Sequence, residues 1–195
     1  LGQGGAIGEL RRIEGFCPNL LDWGTHWFDM IFFFNNQTPV KWVLGQIDHS
    51  EPREVFGVPV TTHGISQYAF ENGVMGMVMA GKEPWGNGQL RMIGTDGILE
   101  LGIPGEPPIR MLNSKAAGWQ YPDLDTDTNG TIEATKDIVS ALRENYEPEL
   151  SGRKALMATE LIFATYESSR RRALVPLPLD IDDSPFLSMI ESGDI

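Results

Sequence analysis

Asp22, His26 and Asp29 stand at i, i+4 and i+7 where a helical pattern begins, a spacing that sets carboxylate and imidazole on one helical face. Asp22 can then orient His26 or balance its charge, and an imidazole titrating near neutrality is the side chain best suited to moving a proton at pH 7. Spacing alone leaves other readings open. Asp22 could cap the helix with His26 at the surface, or the triplet could join a metal site. The metal reading needs further ligands, and His49 and His63, the other histidines, read as a turn residue and the head of a strand. No metal is expected.

The elements that must hold this triplet follow from periodicity. Glu9 to Gly15 reads as a short strand, Pro18 and Asn19 interrupt it, and a helix starts near Asp22 with Trp27, Met30, Ile31 and Phe34 as an apolar stripe. Lys41 to Ile47 then reads as a strand. Two hairpins follow, Ile65–Phe70 with Val74–Ala80 through Asn72-Gly73, and Leu90–Ile93 with Ile98–Leu101 through Asp96-Gly97, dipeptides suited to turns with positive φ. Pro104 to Asn129 reads as loop. Helices are predicted over residues 131–145, with Thr135, Ile138, Val139 and Leu142 on one face, and over 151–172, with Ala155, Thr159, Ile162 and Tyr166 inward. A strand over 173–177 and a short helix after Asp183-Ser-Pro185 close the chain. This order predicts an α+β fold: a largely antiparallel open sheet with helices on one face, in a single domain over residues 1–195. The other face, carrying Met75, Met77, Val78 and Met79, is then available as a homo-oligomer interface.

Composition narrows the partners. A formal charge of −12 disfavours nucleic acid, and the basic run Arg170 to Arg172 reads as a helix C-terminus that complements the dipole. The run Met30 to Phe34 is too short to cross a bilayer, so no membrane is expected. One cysteine, Cys17, allows no intrachain disulfide and makes a reducing, cytoplasmic setting the default, while the start at Leu1 leaves room for a leader or a preceding domain.

Two motifs fail on inspection. Gly2, Gly4, Gly5 and Gly8 have the wrong spacing for a dinucleotide fingerprint and no strand before them. Asp125 to Glu133 follows a calcium loop through nine positions, but its twelfth, where a bidentate carboxylate belongs, is Lys136. An acidic turn in which residues 127–129 cap the next helix is the simpler account.

Asp22, Gly24, His26 and Asp29 together resemble the D-x-G-x-H-x-x-D signature of the glucose-fructose oxidoreductase, inositol dehydrogenase and rhizopine-catabolism (GFO/IDH/MocA) oxidoreductases. Gly5-Ala-Ile-Gly8, Ile93 to Gly97, Ser151 to Ala155, Tyr166 to Ser168 and Pro176-Leu-Pro178 resemble further family segments in family order. The resemblance implies the C-terminal substrate and oligomerisation domain of an enzyme whose N-terminal Rossmann domain, absent here, binds NAD or NADP. The family's Glu-Lys-Pro lysine would go with it; Gly81-Lys82-Glu83-Pro84 has those letters in another order, and the role is not carried onto Lys82. The isolated chain is therefore not expected to be an active dehydrogenase.

By the family mechanism His26 would accept the proton of a sugar or polyol hydroxyl, Asp22 would hold the imidazole or the same hydroxyl, and Asp29 would be structural. Trp23, with Trp119 and Tyr121 from the long loop, would line the substrate cleft. Two alternatives stay open: a relative that uses NAD transiently to cleave a glycosidic bond, and a non-catalytic oligomerisation domain.

Overall fold

The computed structural model describes residues 5–81, 88–124 and 129–195. Gly2, Gly4, Lys82 and the Asp125 and Asp127 of the calcium-like loop lie outside them.

The chain enters on β1 (Leu10–Cys17), turns through Pro18 and Asn19, and forms α1 (Gly24–Phe34). It continues as β2 (Val40–Asp48), a small hairpin of β3 (Arg53–Val55) and β4 (Val58–Val60), then β5 (His63–Phe70), β6 (Met75–Ala80), β7 (Gln89–Gly94), β8 (Gly97–Leu101) and β9 (Ile109–Asn113). Next come α2 (Gly130–Glu144), α3 (Gly152–Arg171), β10 (Val175–Pro176) and α4 (Pro185–Ser192). Eight strands make one open sheet in the order β10-β2-β5-β6-β1-β7-β8-β9. Among the described residues β1 and β6 run parallel and the other pairs of this sheet antiparallel.

α1 and α3 cover one face. Ile13, Val43, Tyr68, Val78 and Met92 point into the core against Phe28, Ile31, Phe32, Leu161 and Tyr166. The helices approach closely because the sheet lacks side chains beneath them: a Cβ on Gly15 would stand 2.8 Å from the Trp27 ring, and one on Gly45 2.5 Å from Thr165 Cγ2. α3 also closes the outer edge of β2. Past the two-residue pairing with β10, the Gly45 N–H donates to Ser168 Oγ at 2.8 Å and the Ile47 N–H to Ser169 Oγ at 3.2 Å. Otherwise these would be open sheet-edge donors.

Several sequence expectations change. The closing strand shrinks to β10, because Ser168 and Ser169, not strand 173–177, occupy the rest of that edge. β9 lies inside the stretch read as loop, where prolines masked it. It also explains Gly97, which is not at positive φ as the turn reading required; its Cβ would come within 2.3 Å of Leu112 O on β9. Gly73, at φ 84°, does serve its turn as expected. On α3, Ile162 and Tyr166 are buried but Ala155 is exposed. On α2, Ile138, Val139 and Leu142 are 41%, 40% and 81% exposed, so its apolar face has no cover among the described residues.

The uncovered sheet face is divided. Leu44, Ile65 and Met79 stand exposed on β2, β5 and β6. Val78 does not join them, because it points into the core. Farther across, Glu14, Arg91, Glu100 and Arg110 form a charged row over β1, β7, β8 and β9. Arg91 Nη2 lies 2.6 Å and Arg110 Nε 2.7 Å from the Glu100 carboxylate, and Arg12 Nε lies 2.7 Å from that of Glu14. Arginine stems keep both glutamates nearly out of water.

Gly45→Ala is expected to lose about 1–3 kcal/mol of stability, the cost of an extra methyl in a close-packed contact, read as a lower denaturation midpoint in urea.

Candidate active site

The turn from β1 into α1 is built around Asn19, which is fully buried. Its side-chain oxygen accepts the N–H of Asp22 at 2.8 Å and of Trp23 at 3.3 Å, and its backbone oxygen accepts the Gly24 N–H at 2.9 Å. Asn19 therefore holds the turn that leads into α1; the cap position itself falls on Trp23 and has no side-chain cap, so Asp22 does not take the capping role the sequence offered it. The Cys17 thiol also donates to the Asn19 backbone oxygen, at 3.2 Å, and burial pushes its pKa up to about 12. A thiol so placed is neither nucleophile nor ligand at neutral pH.

Downstream, Trp27 anchors the helix by donating its indole N–H to Gln89 O at 3.0 Å, and Thr25 Oγ1 donates to Asp22 O at 2.8 Å. His26 is exposed on the first turn. Its ring meets the edge of Trp23 at 6.3 Å between centroids, and Trp23 is half exposed. Among the described residues no hydrogen bond or ion pair joins His26 to Asp22, since Asp22 lies in the turn ahead of Gly24, outside the helix proper.

The carboxylate on His26's side of the helix is Asp29, at i+3. Both line a groove of about 390 Å³ between α1 and the start of α3, with Leu150, Ser151, Ala155 and Thr159 opposite. Desolvation raises the Asp29 pKa above its ordinary 3.8; Glu149 adds to the rise, while Lys154 and His26 oppose it. Lys154, 9% exposed, is held by Glu149 at 3.0 Å. Nearby, the Arg153 guanidinium and the Ser151 hydroxyl hold Glu147 down at about 2, fixing the loop that leads into α3.

Of the sequence candidates, then, the structure brings the rings of His26 and Trp23 together, while Asp22, next to Trp23 in the turn ahead of α1, makes no bond to His26 among the described residues. Trp119 and Tyr121 go elsewhere. Arg110 sits 4.3 Å over the Trp119 ring and Tyr121 donates to Glu106 at 3.1 Å, beside β9 on the charged side of the sheet away from α1. Asp29, which the family resemblance cast as structural, is the carboxylate that lines the groove with His26, as their i+3 spacing allows.

The helix N-terminus does not make a phosphate cradle. The amides of Asp22, Trp23 and Gly24 are already taken by Asn19, and no glycine lies between β1 and Gly24. Among the described residues no group of three or more His, Cys, Asp or Glu side chains is placed to hold a metal ion, and no helix is long and apolar enough to cross a membrane.

An open, mostly antiparallel sheet with two helices laid on one face, and an imidazole presented at the start of the first of them, defines the class of domain. The chain belongs to the GFO/IDH/MocA oxidoreductase family: residues 14–178 match the model of its C-terminal alpha/beta domain. Similar solved structures include a levoglucosan dehydrogenase in complex with NADH and L-sorbose, TM-score 0.73 at 17% identity over 92% of this chain and 61% of that one. The WlbA dehydrogenase from Bordetella pertussis, in complex with NADH and UDP-GlcNAcA, superposes at TM-score 0.67 and 19% identity over 91% of this chain and 58% of that one. For the aldose-aldose oxidoreductase from Caulobacter crescentus, complexed with glycerol, the values are 0.71 and 17% over 90% and 58%. This chain thus spans 58% to 61% of the length of these structures. No curated protein matches it by sequence.

Because the folded state resists ionising Asp29, wild-type stability falls as pH rises from the ordinary carboxylate range through the raised pKa. Asp29→Asn is expected to be the more stable protein at pH 7, with the difference closing below about pH 4, in paired urea titrations across pH.

Proposed function

We propose that this chain is the substrate-side domain of an NAD(P)-dependent oxidoreductase acting on a sugar or polyol hydroxyl, working with a Rossmann-type cofactor domain. The observation that carries the proposal is the exposed imidazole of His26, without a hydrogen bond among the described residues, at the head of α1 beside an open groove, in a chain of an oxidoreductase family. NADH with L-sorbose in the levoglucosan dehydrogenase, and glycerol in the aldose-aldose oxidoreductase, support both the cofactor class and the substrate class.

His26 accepts the proton of the substrate hydroxyl. A bound nicotinamide would supply the hydride acceptor for the carbon that bears that hydroxyl. Proton and hydride leave neighbouring atoms in different directions, so the base must stand across the substrate from the cofactor, on an element that does not move. The turn held by Asn19 and the Trp27 anchor supply that rigidity to α1. Asp22 and Trp23, in the turn just before α1, hold the same hydroxyl and one side of the sugar.

In protein that carries the cofactor domain, His26→Ala is expected to lower kcat for polyol oxidation on the order of 10²- to 10⁴-fold with the fold retained, read from NADH or NADPH absorbance and circular dichroism. Turnover equal to wild type would refute His26 as the base, and hydrolysis of a glycoside without net nicotinamide turnover would move the chain to another reaction class.

The apolar half of the uncovered sheet face is proposed to meet a second copy of the chain, since adjoining exposed Leu44, Ile65 and Met79 favour burial. Leu44→Glu combined with Ile65→Glu is expected to shift the sedimentation coefficient from dimer to monomer. A wild-type monomer at micromolar concentration would overturn this.

A further inference from the structure

The groove beside His26 has a one-sided hydrogen-bonding inventory. Thr25 Oγ1 donates to Asp22 O, Thr159 Oγ1 to Ala155 O and Ser151 Oγ to Glu147, so the hydrogens of all three hydroxyls are spent; the threonine lone pairs remain, and Ser151 Oγ, which caps α3 by accepting the Lys154 N–H at 3.2 Å, keeps one. Asp29 adds a half-buried carboxylate that accepts no hydrogen bond among the described residues, and the neighbouring ammonium of Lys154 is engaged by Glu149. Leu150, Ala155 and Ala158 supply an apolar patch between these acceptors. A ligand that satisfies such a wall must bring its own donors, several of them, next to a C–H surface.

We propose that Asp29 is a substrate-binding residue whose carboxylate accepts the two O–H groups of a vicinal diol, seated in the groove with His26 beside it and Leu150 and Ala155 against the C–H face of the ring. The assignment rests on the polyol reading above and gives it a specificity element: a compound with one hydroxyl leaves one carboxylate oxygen unpaired. A volume of about 390 Å³ accommodates a six-membered polyol. His26 and Asp29 lie three residues apart on one helical face, so a diol held by Asp29 presents an adjacent hydroxyl toward the imidazole. Glu149 and Lys154 are the other charged groups near Asp29, and they offset one another.

Titration of the 195-residue chain with myo-inositol, followed by backbone amide NMR, tests this. Saturable shifts are expected at Thr25, His26, Asp29 and Gly152, with none from cyclohexanol. Asp29→Asn is expected to weaken the dissociation constant about tenfold or more, as for a lost hydrogen bond to a charged group, whereas Glu149→Gln keeps the wild-type value. Equal affinity in wild type and Asp29→Asn, saturable shifts away from the groove, or no saturable shift overturns the assignment. None of these decides the role of His26, which turnover of the His26→Ala enzyme tests separately.

Discussion

The carboxamide of one buried asparagine governs the geometry of this domain's working end. Asn19 sits where β1 stops and α1 has not begun, a point at which free amide donors would otherwise be buried or would need water. By taking the N–H groups of Asp22 and Trp23 on its side chain and that of Gly24 on its backbone, it fixes the angle at which α1 leaves the sheet. Trp27 then completes the attachment over Gly15. His26, between these two anchors, is exposed yet positioned, as the proposed proton acceptor would have to be.

The same fold uses α3 for two purposes. Its inner face is small and polar where it meets β2 and β5, with the Thr165 hydroxyl 2.7 Å from that of Ser66 and Ser168 and Ser169 serving the strand edge. Its N-terminal turn, by contrast, leaves Ala155 and Thr159 short of the sheet and facing α1 across the groove. The helix is thus packed tightly at the end that closes the sheet and loosely at the end that meets the site. Groove and core are consequences of one helix.

Much of the framework was legible from pattern. The alternation in β2 and β5 to β8, the Asn72-Gly73 turn and the stripe of α1 are local signals in which side-chain period and burial coincide. β9 and the small hairpin β3–β4 were not. The first hides behind Pro104, Pro107 and Pro108 and is recognised only by its partner β8, while the second has three-residue strands, too short to show a period. The reading of Gly97 as a turn glycine missed for the same reason, since what it avoids is the carbonyl of Leu112, fifteen residues later.

The sequence by itself determined the family, the element order and the presence of Asp22, His26 and Asp29 at helical spacing, because each depends on residues near one another in the chain. Only the tertiary structure decided which groups share a surface. It brought Asp29 to His26's groove through the approach of α3, and carried Trp119 and Tyr121 with β9 to the other side of the sheet. Those outcomes are set by long-range contacts whose partners lie tens of residues apart, and short-range periodicity carries no record of them.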